Sequence, residues 1–303
     1  MGHIPVLLKE IINHLSLKDG EVVVDMTIGN GGHARALLQS GARRLTLLGV
    51  DADKTAIESA RKNLSEIFAE IESLGHRLIL ENHYFDALPK ILEKHAVSKI
   101  DKVLFDLGFR SDQIETPTRG FSFNEEGPLD MSFLENATVD AKIIVNEWEE
   151  DLLAKIIYGF GEERFSRRIA KAIVSARREG PIETTTQLAE IIKKAVPVFY
   201  RRSKIHPATK TFQALRIAVN RELERLEKVL PVVFSSLNPG GRIAVISFHS
   251  LEDRIVKNFF RDKFKAGQAT LLTKKPIVAS REEVLENPRS RSAKLRVLEK
   301  NDH

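Results

Sequence analysis

The sequence predicts an α/β protein whose mostly parallel sheet is interrupted by a helical insertion. Three observations carry that expectation. Strand-like apolar runs alternate with helical patterns over roughly the first hundred residues, the arrangement that lays helices on both faces of a parallel sheet. From about Val139 to Lys194 only helical periodicity is visible. Strand signals then return at Gly241.

Pro5 stands where a helix would begin, with Val6, Leu7, Ile11 and Leu15 at helical spacing behind it. Residues 21–25 (EVVVD) and 44–51 (RLTLLGVD) read as buried strands. Between them lie a glycine-rich turn and a short helix near Ala34–Gln39. Asp53–Leu74 reads as one amphipathic helix, with Ile57, Ala60, Leu64, Ile67 and Ile71 on a single face. Arg77–Leu80 and Ile100–Asp106 supply a third and a fourth strand. The stretch Leu107–Asp130 is rich in Gly, Pro, Ser and charge, and is long for a connection without its own structure. In the insertion, Thr184 and Gln187 form a capping box ahead of Leu188, Ile191 and Ile192. A further helix is expected from Thr209 to Leu230, then a strand over 241–248 and a helix start at Ser250-x-x-Asp253. Thr270–Thr273 and Lys294–Leu298 complete the strands. The expected division is a core of residues 1–112 and 208–303 around a helical insertion, 113–207.

Composition narrows the function classes. The chain has 303 residues, 42% of them hydrophobic, enough for a sizeable core. It has no cysteine, which excludes disulfides and thiolate metal sites. The N-terminus lacks a basic start followed by an apolar run, and no apolar stretch is long enough to span a membrane, so a cytoplasmic protein is expected. A formal net charge of +5 fits a polyanionic partner, although an ordinary solvated surface would also produce it.

The segment Asp25–Ala34 (DMTIGNGGHA) follows a strand and opens a helix. Gly29-x-Gly31-x-x-Ala34 satisfies the dinucleotide fingerprint, and Asp51, at the end of the second strand, could hold a ribose. Both NAD and S-adenosylmethionine suit these features. Asp25 tilts the balance, because a carboxylate there would repel a pyrophosphate and attract an ammonium group. Asp106 places another carboxylate at the same sheet edge.

Four further segments add specificity: Asp106–Gln113 (DLGFRSDQ), Arg119–Met131 (RGFSFNEEGPLDM), His206–Ile217 (HPATKTFQALRI) with Asn220–Leu223, and Ile246–Lys257 (ISFHSLEDRIVK). With the opening His3–Glu10, the glycine loop and the closing Glu286–Arg296, they resemble the RsmH (MraW) family of bacterial methyltransferases, which act on N4 of a cytosine in 16S ribosomal RNA. The resemblance implies a Rossmann-like class I methyltransferase sheet with a helical insertion that meets the RNA. It implies S-adenosylmethionine as cofactor, held by Gly31, Gly32, His33, Asp51, Phe85, Asp106 and Gln113, and the decoding region of the small subunit as substrate. The chain departs from the family pattern at Phe109 and Arg110 and again at Ser132 and Phe133. A cofactor-binding assembly factor without turnover is the non-enzymatic alternative.

Within that reading Asp106 is the candidate proton acceptor for the target amine, or else only a cofactor ligand. Phe109, Phe121 and Phe123 could stack on the base, or could pin their loop to the core. His249 could touch substrate or close a strand–helix corner, and it has no neighbours at a metal-ligand spacing. Three basic clusters are candidates for phosphate contact: Arg164, Arg167, Arg168 and Lys171; Arg201, Arg202, Lys204 and Lys210; and Arg289, Arg291, Lys294 and Arg296.

Overall fold

The computed structural model describes residues 5–108, 116–134, 137–202 and 205–302. The chain forms two units, Met1–Gly108 with Leu223–His303, and Phe109–Glu222. The first unit begins with α1 (Leu8–Leu15), β1 (Val22–Asp25), α2 (Gly32–Leu38), β2 (Thr46–Asp51), α3 (Lys54–Ser65), α4 (Phe68–Ser73), β3 (Arg77–Asn82), α5 (Leu88–Lys94) and β4 (Ile100–Asp106). The second holds α6 (Ala141–Glu147), α7 (Glu150–Gly161), α8 (Ser166–Ala176), α9 (Thr185–Ala195), α10 (Val198–Arg201) and α11 (Thr209–Asn220). The chain then returns through α12 (Glu222–Ser236), β5 (Leu237–Ser247), α13 (Ser250–Lys265), β6 (Ala269–Leu271), α14 (Arg281–Glu286) and β7 (Lys294–Lys300). Among the described residues, no helix is long and apolar enough to cross a membrane.

The strands form one sheet in the order β3-β2-β1-β4-β5-β7-β6, parallel except for β7, which runs antiparallel to both β5 and β6. Successive strand residues point to opposite faces. Val23, Leu47, Leu104 and Ala244 therefore enter one core with α1, α2 and α3, while Val24, Leu48, Phe105 and Val245 enter the other with α5, α12 and α13. Both faces are covered, which is why β1, β2 and β4 read as unbroken apolar runs rather than alternating ones. The direction of strand order reverses between β1 and β4, the position where open α/β sheets gather ligands.

Two helix expectations change. The single helix expected over Asp53–Leu74 is α3 and α4, although Ile67 and Ile71 continue the same buried face. The helix expected over Thr209–Leu230 breaks at Arg221, whose φ of 52° ends α11 with its N–H on the Ile217 carbonyl. The boundary between the units falls just beyond it, between Glu222 and Leu223, rather than near residue 208. Its cause is packing: Phe212 and Leu215 of α11 belong to the helical core with Leu153, Ile157, Ile169, Ile173 and Leu188.

Residues 116–130, expected as part of a long irregular loop, and the adjoining 131–134 are ordered by the second unit's helices. Leu129 and Met131 are buried in its core. Thr185 N–H donates to the Gly127 carbonyl, Gly127 N–H donates to Thr185 Oγ1, and Leu129 N–H donates to the Glu183 carbonyl. Asn220 closes the far end, donating to the Met131 carbonyl and accepting from Phe133 N–H. Gly120 has a φ of 69°, and a Cβ there would overlap the Pro128 carbonyl oxygen. Backbone on both sides leaves no flexible group to yield, so Gly120→Ala should cost about 2–4 kcal/mol. The urea midpoint of the full chain checks this, and an unchanged midpoint would mean that the loop readily reorganises.

Candidate active site

Three neighbouring strands end on carboxylates: β2 on Asp51, β1 on Asp25 and β4 on Asp106. Asp25 pairs in register with Gly49 and Leu104, so it lies deep in the sheet edge and is 1% exposed. Thr27 links two of the strand ends: its N–H donates to Asp25 Oδ1 at 3.2 Å, and its Oγ1 accepts from the Asp106 N–H at 2.7 Å. This staple is one functional contribution missed from the sequence. Its only local signal is a short hydroxyl side chain directly after an apolar strand.

The glycine loop is fastened from outside. Gly29 N–H donates to Asp51 Oδ2 at 3.0 Å and Asp53 N–H donates to Asp51 Oδ1 at 2.9 Å. These two bonds fix the Asp51 carboxylate against the glycine loop and the start of α3. Asn63 of α3 donates to the Asn30 carbonyl at 2.9 Å, another fixing contact that the sequence pattern did not single out. Gly31 adopts a φ of 80°, where a side chain would be strained. Gly32 has a different reason to be glycine, since a Cβ would lie 2.7 Å from Cγ of Pro5.

His33 follows on α2 and is buried. Its Nε2 lies 2.9 Å from the Val6 carbonyl, which can only accept, so Nε2 carries the hydrogen. Nδ1 then faces Asp106 Oδ2 at 3.6 Å. Phe85 stands after β3, half-buried and edge-on to Phe105 of β4, with ring centroids 5.8 Å apart. Its neighbours are clamped by Arg225 of α12, which sits 3.7 Å from the Tyr84 ring centroid and reaches both Asp86 oxygens at 2.7 Å. Nothing local in the sequence could reveal that clamp, because its two ends are 139 residues apart.

Electrostatically the edge is a set of like charges. Burial pushes the Asp25 carboxyl up to about 8, and the nearby charges of Asp106 and Asp51 act in the same direction, against the Thr27 N–H. A cationic ligand group would relieve that repulsion, whereas a pyrophosphate would add to it.

The remaining candidates fall elsewhere. Phe109 and Gln113 lie outside the described residues. His249 is the N-cap of α13, one residue before the helix start expected at Ser250. Its Nδ1 accepts from Glu252 N–H at 3.4 Å and its Nε2 lies 3.1 Å from Glu252 Oε1, so the ring closes the strand–helix corner. Phe121 and Phe123, in the second unit, each have protein rings against them: Phe133 stacks on Phe121 at 5.4 Å, and His206 stacks on Phe123 at 4.6 Å. Phe212 meets Phe123 edge-on. Ser132 is buried with its Oγ donating to the Leu134 carbonyl, so both it and Phe133 are absorbed by the unit's own packing. In the third basic cluster Arg296 is buried against Asp253 at 2.7 Å, while Lys294, 3.7 Å from the same carboxylate, keeps its side chain partly exposed.

Residues 1–301 match the family model described as the MraW methylase family. Among curated relatives, the "Ribosomal RNA small subunit methyltransferase H" of Halothermothrix orenii is 43% identical, with 99% of each chain covered. The proteins so named in Trichodesmium erythraeum and Trichormus variabilis are each 45% identical over 99% of this chain, covering 99% and 92% of their own lengths.

The Asp25 carboxyl gives a pH prediction. Because its pKa rises on folding from 3.8 to about 8, the neutral form is favoured in the folded state. Its stabilising contribution is complete below about pH 4 and is lost as pH rises through about 8. Asp25→Asn, a neutral isostere, should therefore gain stability relative to the parent by about 2 kcal/mol between pH 6 and 8. Parallel urea denaturation of the two ligand-free proteins checks this, and a pH-independent difference would contradict the raised pKa.

Proposed function

The chain belongs to the MraW methylase family, and from that premise we propose that it methylates N4 of a cytosine in the decoding region of 16S ribosomal RNA. The methyl donor is S-adenosylmethionine. The observation that carries the cofactor reading is the carboxylate set at the ends of β1, β2 and β4, an anionic edge suited to a donor bearing ammonium and sulfonium charges. S-adenosylmethionine, when bound, supplies an electrophilic methyl group on positive sulfur. Asp25 would meet the ammonium group, Asp51 would accept from the ribose hydroxyls, and Phe85 would pack on the adenine. Gly31 and Gly32 would let the backbone approach, with Gln113 contributing from outside the described residues.

The amine of cytosine is a weak nucleophile because its lone pair is delocalised into the ring. Positioning and exclusion of water therefore supply much of the acceleration. In the transfer the N4 lone pair would form the bond to the methyl carbon as the donor's carbon–sulfur bond gives its electrons to sulfur, and the chain would have to accept the proton lost from N4. Asp106, held by Thr27 and facing His33, is the acceptor proposed for that proton. The second unit is proposed to carry the RNA-binding surface. The reaction would take place in the cytoplasm, where small subunits assemble.

Labelled methyl donor and small subunits lacking the modification test this reading directly. Transfer to a single cytosine of 16S rRNA, with N4-methylcytosine on nuclease digestion, is expected. Donor binding without transfer would favour an assembly factor. Asp106→Asn should lower turnover about a hundred-fold or more while donor affinity changes little. Equal losses in both would reduce Asp106 to a cofactor ligand.

A further inference from the structure

Beside the first basic cluster, the second unit carries an aromatic group that none of the readings above uses. At its centre Arg164 lies over three rings, with its guanidinium carbon 4.8 Å from the centroid of Phe165, 5.1 Å from Tyr200 and 5.6 Å from Phe199. A buried carboxylate fixes the group: Glu163 Oε1 accepts from Phe165 N–H at 2.8 Å, and its Oε2 accepts from the Tyr200 hydroxyl at 2.6 Å. Phe165 and Tyr200 are half-buried, but Phe199 is 65% exposed. Its ring is therefore held by Arg164 and Phe165 while most of its surface faces solvent. Val198, the residue before it, is 60% exposed as well, so the ring is not an isolated exposed apolar group.

Charge identifies the partner. Arg164–Arg178 contains six cations and no carboxylate, and residues 191–210 likewise contain six and none. Arg167, Arg168 and Lys171 project from the exposed side of α8, opposite the buried Ile169 and Ile173. A planar ring beside several cations suits a polymer that offers flat bases and regularly spaced negative charge. A lone arginine over an aromatic ring also extends such a stack, since its guanidinium plane pairs with bases as well as with phosphates.

We propose that this surface stacks an unpaired base of single-stranded RNA on Phe199 while Arg164, Arg167, Arg168 and Lys171 hold the neighbouring phosphates. The proposal rests on the RNA-methyltransferase reading and supplies a base platform in addition to Phe121 and Phe123, each of which already stacks on one protein ring. Because Phe199 is not among the cofactor or catalytic candidates, donor binding should be unaffected by its replacement.

The probe is a short single-stranded RNA carrying 2-aminopurine, titrated with the full-length protein. Stacking on Phe199 should quench the fluorescence. Phe199→Leu should abolish the quenching and weaken binding at least about five-fold, and Phe199→Trp should retain both. Replacing Arg167, Arg168 and Lys171 together by Gln should make the slope of log affinity against log salt shallower by about 2. Parental affinity and quenching in Phe199→Leu would overturn the base platform and leave a protein partner as the occupant of the surface. An unchanged salt slope in the triple variant would overturn the phosphate contacts. Methylation of small subunits by the parent protein separates the two readings: RNA binding and quenching without methylation would sink the activity alone.

Discussion

Three carboxyl groups on adjacent strands oppose one another's ionisation, and the rest of the core unit is arranged so that they stay together. Asp25 is the most deeply placed and bears the desolvation. Thr27 ties its turn to the end of β4, and the glycine loop hangs on Asp51 through the N–H of Gly29. Each contact is short, but its partners meet only because parallel pairing in register brings three strand ends to one edge. Burial and the neighbouring carboxylates keep Asp25 neutral up to about pH 8 in the ligand-free protein, and a cationic group placed beside it would favour its ionised form.

That edge is made precise by packing on both sides. Consecutive residues of β1, β2 and β4 enter opposite cores, so neither face can slip without exposing a row of Val and Leu. The loops after the strands inherit this rigidity. Phe85 is set by Phe105 below it and by the Arg225 clamp on the residues to either side. Gly49 belongs to the same logic, because a Cβ on β2 at that point would overlap the side chain of Ile28 in the glycine loop.

The second unit follows a different principle. Its helices bury one apolar cluster, and the chain 116–134 is stitched onto that cluster by backbone bonds to Thr185 and side-chain bonds to Asn220. Its aromatic residues divide by exposure. Phe121 and Phe123 face other rings, whereas Phe199 presents its ring outward beside Arg164.

Fold class, strand identities, the glycine loop and the carboxylates at the strand ends follow from sequence alone, because apolar periodicity, turn glycines and acidic strand ends are local signals. The motif resemblance added the family in the same way. Only the tertiary structure decided which side chains are already occupied. His249 looks available in sequence, and its Nδ1 caps α13; Arg296 reads as a phosphate contact yet is buried on Asp253. The unit boundary at Arg221, the Thr27 staple, the Arg225–Asp86 clamp and the exposure of Phe199 depend on groups brought together from distant parts of the chain. Periodicity along a sequence records which face of an element is buried; it does not record what that face is buried against.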